Sequence, residues 1–348
     1  MSQEFPHRGS PTLEDVARVA GVSRATVSRV VNGKQDVGEK FAVLVRDAIA
    51  ATGYVPNRAA RSLVTGRAGT VVVVVSGLSE AGTGSSPGAD FDDPFFGRVV
   101  SGLLRALRPR DLDPVLMLAE TDEDRNRVLA FLRNGSADGA LLVTTHSDDP
   151  LPALLVEAGV PLVTFARPGL SLPVSFVDVA NRDGGVLAAQ RLLALDRGAV
   201  VTISGPLDVP AAHDRLTGFR DHLARSGQAY VPTVAGDFSF ESGAVAMRLL
   251  LGEVPQLDGV FAANDLMALG AMRVLQEAGR RIPEDVAVIG FDDSKIAAVS
   301  SPGLTSVRQP IEGMVVEMAT ILLDLLADPT RRATSVIFEP TLTVRGSA

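Results

Sequence analysis

Four histidines, His7, His146, His213 and His222, lie at spacings that match no metal site. There is no cysteine to act as a ligand, disulfide partner or thiolate nucleophile. Neither the G-x-S-x-G turn of a serine hydrolase nor a phosphate-binding P-loop occurs. An enzyme is therefore not expected, and neither is a metal or other cofactor. The chemistry that the residue types do support is contact with a polyanion. Residues 1–68 hold ten Lys/Arg against six Asp/Glu, a net +4, whereas the remainder carries −12 of the total −8. A basic head on an acidic body suits a head that meets phosphate and a body that does not, although an ordinary solvated face has the same balance.

The elements that would present those cations lie between Pro11 and Gly33, in "PTLEDVARVAGVSRATVSRVVNG". Thr12 is a good N-cap, and Asp15, three residues on, completes a capping-box-like pair. Val16, Ala17, Val19 and Ala20 then recur at helical spacing. Gly21 tolerates the positive φ that follows a helix. Ser23 can cap a second helix, with Thr26, Val27 and Val30 on one side. Two short helices around a Gly turn make the helix-turn-helix outline, an outline also common in plain helical bundles. A third helix is expected over about Glu39–Ala51, ending at Gly53. After Pro56, residues 57–63 could form a helix too short to be stable without a partner.

From Thr70 the pattern changes. Apolar runs at 70–75, 114–119, 139–145, 161–165, 174–179, 199–204, 259–264 and 286–291 alternate with helical stretches at 95–107, 123–134, 182–195, 211–225, 240–251, 265–278 and 311–326. Such alternation predicts parallel sheets with helices on both faces. So many units imply two α/β lobes, with ligand binding at the carboxyl ends of the strands. With 348 residues, 46% of them hydrophobic, the chain can bury cores of that size. The Gly/Ser/Asp-rich stretch from Ser76 to Asp93 is long for a βα connection and reads as a surface insertion or a lid. No run is long and apolar enough for a membrane span and no apolar signal opens the sequence, so a cytoplasmic protein without a membrane partner is expected.

Eight motifs follow one another in order: "TLEDVARVAGVSRATVSRVVNG", "GYVPNRAARSL", "DPFFG", "NRDGG", "GPLDVPAAHDRLTGFR", "FAANDLMALGAM", "VIGFDDS" and "SPGLTSVRQP". Together they resemble the LacI/GalR family of bacterial transcription regulators, from about Thr12 to the C-terminus. The resemblance implies an α-helical helix-turn-helix head and a periplasmic-binding-protein-like α/β core of two parallel-sheet lobes. The head is expected over 1–56, a hinge helix and linker over 57–68, and the core over 69–348. Lobe one would take about 69–178 and 310–338, and lobe two about 182–307 and 342–348.

By that resemblance the second helix enters the major groove, and Arg24, Ala25 and Arg29 meet base edges. An Arg fork can pair with guanine for about 1–3 kcal/mol of discrimination. Thr12, Ser23, Thr26, Ser28 and Asn32 would contact phosphate and set register. Asn57, Arg58, Ala60 and Arg61 match the hinge helix, and Leu63 the wedge that enters the minor groove. Paired hinges imply a homodimer on palindromic double-stranded operator DNA. No tetramerising heptad follows the core motifs, which favours a dimer over a tetramer. Two departures stand out: Gly38 replaces the usual Ser/Thr cap of the third helix, and Phe41 replaces a small polar residue.

In the core the resemblance assigns ligand contact to Asp93, Phe95, Phe96, Arg167, Arg215, Phe238, Asn264 and Asp292. Ala166 replaces the family's usual Asp before Arg167. Charged groups for hydroxyl pairs and rings for C–H faces suit a sugar or sugar derivative. Asn264 and Asp292 have an alternative in strand-end turn chemistry. The implied mechanism is a small effector that closes the cleft and orders or melts the hinge helices, most simply as an inducer. A purine corepressor is the alternative effector. A sugar-binding transport component is the more distant alternative, against which the basic head argues.

Overall fold

The computed structural model describes residues 11–31, 37–55, 66–76, 94–110, 112–144 and 146–348. The chain divides into two compact units, one up to Gly69 and one from Thr70 onward.

The first unit is built from α1 (Leu13–Ala20), α2 (Arg24–Val31) and α3 (Glu39–Thr52). None is long enough to be stable alone in water. They are held by a small core of Val16, Val27, Val45, Ala48 and Tyr54, one or two residues from each helix plus the tyrosine after α3. The caps fix the turns. Thr12 and Asp15 form a full capping box, and Gly21 ends α1 at φ +66°.

The second unit holds two six-stranded sheets. In chain order its elements are β1 (Thr70–Ser76), α4 (Pro94–Leu107), β2 (Asp113–Ala119), α5 (Asp122–Arg133), β3 (Gly139–Thr144), α6 (Leu151–Glu157), β4 (Leu162–Phe165) and β5 (Ser175–Val179). Next come α7 (Asn181–Ala194), β6 (Val200–Ser204), α8 (Pro210–Arg225), β7 (Thr233–Ala235), α9 (Phe240–Glu253), β8 (Gly259–Ala262) and α10 (Asp265–Glu277). The last are β9 (Ala287–Asp292), α11 (Lys295–Val299), β10 (Thr305–Arg308), α12 (Ile311–Ala327), β11 (Ser335–Phe338) and β12 (Thr341–Thr343).

The sheet orders are β11-β5-β4-β3-β1-β2 and β12-β10-β9-β8-β6-β7. Every pairing is parallel except β10 with β12, which is antiparallel. The unbroken valines of β1 are explained by burial on both faces. Val71, Val73 and Val75 pack under α4 and α12. Val72 and Val74 face α5 and α6. In the second sheet Val201 and Ile203 face α9 and α10, while Val200 faces α7 and α8.

Three chain crossings join the lobes. They fall between β5 and α7, between β10 and α12, and between β11 and β12. In the second lobe α7 and α8 meet almost backbone to backbone. A Cβ at Gly185 would lie 2.1 Å from the carbonyl oxygen of Arg215, and one at Gly218 1.9 Å from that of Arg182. Among the described residues no helix is long and apolar enough to cross a membrane.

The structure corrects some expected boundaries. The run 259–264 ends as a strand at Ala262, because Asn264 caps α10. The run 286–291 extends to Asp292. Helices α6 and α11 and strands β7, β10, β11 and β12 were absent from the sequence pattern. All are short, and β7, β11 and β12 are half exposed along their length. The stretch 77–93 lies outside the described residues.

Candidate functional sites

On the first unit, α2 is anchored by buried Val27, and this turns Arg24, Ala25 and Arg29 to the surface, with Ser28 half-buried beside them. Thr12 and Ser23 are exposed and both act as caps. Thr12 Oγ1 accepts the Asp15 amide at 3.3 Å, and Ser23 Oγ accepts the Thr26 amide at 3.1 Å. Hydrogen bonds from the main chain and hydroxyl of Thr12 hold the Asp15 carboxyl below the usual carboxylate range. Arg24 Nε lies 3.1 Å from Glu14 Oε1, so an acid on α1 aims the first arginine of α2. The sequence pattern did not single out Glu14. Gly38 starts α3 without a side-chain cap, and Phe41 is exposed. Asn32, Asn57, Arg58, Ala60, Arg61 and Leu63 lie outside the described residues.

In the second unit the carboxyl ends of both sheets converge on a cleft that holds about 940 Å³ of empty space, the open solvent at its mouth included. Its apolar wall includes Phe95, Phe96, Phe165, Leu170 and Phe238. Phe95 stands edge-on to Phe96 and Phe165, with centroids 5.2 and 5.4 Å apart. Phe96 is buried in the first lobe's core, whereas Phe95 is half-buried and faces the cavity. Phe238 holds φ +70°, and its ring lies over Gly205, where a Cβ would be 2.4 Å from it.

The polar wall is a network around Arg215, which is 6% exposed. Its Nε donates to Asn181 Oδ1 at 2.8 Å, Nη1 to the Ala263 carbonyl at 2.7 Å and Nη2 to Gln309 Oε1 at 3.3 Å. Its guanidinium sits 3.6 Å above the Phe291 ring. Asn181 and Gln309 belong to two of the three crossings, so Arg215 ties the crossings to the second lobe. Arg167 donates its main-chain amide to Asp178 Oδ2 at 3.0 Å and its Nη2 to Asp214 Oδ2 at 2.9 Å. The preceding Ala166 adopts φ +69°.

Asp292 ends β9 at φ +96° and is 5% exposed. Its Oδ1 is 3.6 Å from Arg215 Nη1 and has no hydrogen-bond partner among the described residues. Burial pushes its carboxyl above the usual range, with Arg215 and Arg98 pulling the other way. Burial also raises Asp178, against the amides of Arg167 and Val179. Behind Asp292, Asp265 accepts from Ser294 N and Oγ, both at 2.7 Å, and from Ser306 Oγ at 2.5 Å. Burial, and then the charge of Asp292, pushes Asp265 up to about 7.

Of the residues assigned to the ligand by resemblance, Phe95, Phe96, Arg167, Arg215, Phe238 and Asp292 line this cavity. Asn264 is not on its wall. It is buried, its Oδ1 accepts the Met267 amide at 2.9 Å and its Nδ2 donates to the Phe238 carbonyl at 2.8 Å. Asn264 is thus placed as the cap of α10 and the tether of the Phe238 turn. Asp93 lies outside the described residues. Asp178, Asn181, Gln309 and His146 line the cavity but were not singled out from sequence. The available signal was their position at strand ends and crossings.

The arrangement favours an uncharged, hydroxyl-rich molecule. A buried carboxylate, Asp292, and a half-buried one, Asp178, offer acceptors, and aromatic faces offer packing for C–H surfaces. The two arginines of the wall already lie against carboxylates, Arg215 against Asp292 and Arg167 against Asp214, and the His146 ring contacts Asp208 Oδ2 at 2.7 Å.

Comparison with known proteins places both units. Residues 12–57 match the family described as "Bacterial regulatory proteins, lacI family", and residues 189–348 a "Periplasmic binding protein-like domain". The chain is 45% identical over 345 residues to the HTH-type transcriptional regulator CelR of Thermobifida fusca, covering 98% of this chain and 99% of that one. It is 33% identical over 342 residues to the ribose operon repressor of Escherichia coli K12, covering 97% and 99%. Among solved structures, a CelR–cellobiose complex is 43% identical with a TM-score of 0.75, covering 97% of this chain and 100% of that one. The lac repressor dimer bound to operator and the anti-inducer ONPF is 26% identical with a TM-score of 0.82, covering 97% and 99%.

Proposed function

The chain belongs to the LacI family of bacterial transcriptional regulators, and from that premise we propose that it is a repressor released from its operator by a neutral sugar. The sugar sits between the two lobes of the core, against Asp292, Asp178 and the rings of Phe95 and Phe238. The protein works as a homodimer in the cytoplasm, and two copies of α2 read the halves of a palindromic site. Arg24 and Arg29 meet base edges, Ala25 packs on them, and Thr12, Ser23, Thr26 and Ser28 meet phosphate. Asn32 and the hinge residues Asn57, Arg58, Ala60, Arg61 and Leu63 complete that surface.

The observation that carries the reading is the cavity wall: an unbonded carboxylate oxygen of Asp292 on one side, aromatic faces on the other, and two arginines already engaged. A sugar phosphate would have to draw Arg167 from Asp214, or Arg215 from its bonds to Asn181, Ala263 and Gln309. Cellobiose is the first candidate because the CelR structure holds it.

The test has two parts. Thermal denaturation is followed with cellobiose, ribose, a hexose 6-phosphate and guanine. A ligand that binds only the folded core adds about 2.7 kcal/mol at 100 times its Kd, a shift of several degrees. Operator binding is then measured by fluorescence anisotropy with and without the hit. A neutral sugar that raises the midpoint and releases the DNA supports the proposal. A purine hit that tightens DNA binding replaces it with the corepressor reading, and a phosphorylated sugar as the preferred ligand overturns the argument from engaged cations.

A further inference from the structure

Among the described residues, three polar links cross the cavity from the first lobe to the second. Two are open to solvent: His146 with Asp208, and Arg167 with Asp214, where one partner of each pair is more than half exposed. Links of that kind cost little to break. The third includes an equally exposed carboxylate, Glu312, but reaches the second lobe through a main-chain carbonyl instead of an exposed side chain.

Arg98 lies in the first turns of α4, with its side chain 19% exposed. Its Nε and Nη2 hold the Glu312 carboxylate at 3.1–3.2 Å. Glu312 opens α12, the helix that follows the second crossing, and α12 packs directly on α4. The remaining arm, Nη1, donates at 2.9 Å to the main-chain carbonyl of Asp292, at the end of β9 in the other lobe. Asp292 is therefore used twice. Its carboxylate belongs to the cavity wall and lies near Arg215, while its carbonyl belongs to the contact with the first lobe. A φ of +96°, rare for a residue with a side chain, accompanies this arrangement. Arginine suits the position because its rigid fork serves a carboxylate and a carbonyl at once, which a lysine point charge does not.

We propose that Arg98, held by Glu312, is a positioning residue that docks the second lobe onto the first through the Asp292 carbonyl, so that effector contact at Asp292 and lobe closure favour each other. Neither event needs Arg98 to touch the effector. The coupling is reciprocal: a ligand that fixes Asp292 stabilises the docked lobes, and docked lobes present Asp292 in its ligand-ready position. The inference rests on the reading of the cavity as the effector site.

The test uses Arg98→Met in the full chain, which keeps the aliphatic stem and removes the fork. Cellobiose affinity is measured calorimetrically. Lobe separation is measured between spin labels at Glu157→Cys and Ala224→Cys, two exposed positions on opposite lobes of a chain with no other cysteine. Labelled chain is diluted with unlabelled chain, so that only distances within one protomer are read. Loss of one charge-assisted hydrogen bond should lower affinity about tenfold. It should also lengthen or broaden the ligand-free distance, with saturating cellobiose restoring the wild-type distance. Glu312→Gln should move both readouts the same way by less, and Arg98→Lys should recover only part of the loss. Affinity within twofold of wild type, with unchanged distances and only a lowered melting midpoint, overturns the proposal and leaves Arg98 a packing residue. If wild type fails to bind cellobiose, the effector reading fails by itself. The ligand-free distance then decides the strut, and an unaltered distance in Arg98→Met overturns it.

Discussion

Asp265 and Asp292 are two carboxylates in one buried network, and only one of them faces the cavity. Asp265 is surrounded by hydroxyls and an amide but is pushed up to about 7, first by burial and then by its neighbour. A carboxyl whose folded value lies above its unfolded value, about 4, binds its proton more tightly when folded. Its contribution to stability is complete below about pH 4 and is lost as pH rises through about 7. Asp265→Asn should therefore flatten the fall in denaturant midpoint between about pH 4 and 7, because the amide mimics the protonated acid toward Ser294 and Ser306. An unaltered pH profile would show that Asp265 ionises at ordinary cost. Arg215 belongs to the same scale. The sequence assigned it to the ligand by resemblance, yet three of its donor nitrogens serve the protein. Arg215→Lys should cost the core about 2–4 kcal/mol, since one ammonium cannot span Asn181, Ala263 and Gln309. Chemical denaturation would detect that loss, and operator binding by the folded fraction should survive it.

Helix pairing decides where those residues stand. The closeness of α7 and α8 depends on Gly185 and Gly218. Gly218→Ala sets a methyl against the Arg182 carbonyl and should destabilise the core by about 1–3 kcal/mol or more. It should also weaken the effector response, because Arg215 rides on α8. Gly97→Ala in α4 has the opposite sign. That position is exposed and no described residue lies within 4 Å of its added carbon, so it should gain about 0.5–1 kcal/mol. Thermal melts of the two variants give the comparison, and equal signs would refute it. On the head, Gly38→Ser at φ −56° should gain a few tenths of a kcal/mol by supplying the missing cap. At this scale the sequence was legible wherever burial was complete. The valines of β1 and the periodic stretches of α8 and α10 announced themselves through hydrophobic pattern. The strands β7, β11 and β12 did not, because three or four half-exposed residues carry no period. Asn264 shows the limit at the site: its motif matched, but only coordinates reveal that its amide is spent on the α10 cap and the Phe238 carbonyl. Glu14 and Gln309 stood inside recognised motifs and Asp178 at a strand end, but their roles depend on contacts made across the fold.

For the whole molecule, the opposed charges of head and body assign the DNA to one end. Operator affinity should fall steeply as salt rises, because neutralised phosphates release their counterions. Arg29→Ala should lower affinity for the preferred operator by about 1–3 kcal/mol while changing the affinity of the core for its effector less than twofold. A further expectation follows from pairing two heads on two half-sites. Inserting about five base pairs at the operator centre turns one half-site to the opposite face of the duplex, and binding should drop to that of a single half-site. Anisotropy titrations measure all three. Undiminished binding to the lengthened site would show that the two heads are not held at a fixed spacing.

The three crossings also bear on how the protein is made. The first lobe receives β1 to β5 early in synthesis. The helix that covers one face of that sheet, with Met314, Val315 and Met318, and the strand β11 that closes its edge, arrive only after the whole β6–β10 portion of the second lobe. At about 5–20 residues per second, the stretch from Val179 to Ala327 takes the ribosome roughly seven to thirty seconds. Throughout that interval a parallel, valine-rich sheet lacks one of its two helices on one face and has β5 as an open edge besides β2. Shielding by a holdase, or slow pairing that waits for the late segments, becomes a condition of the yield of the native repressor.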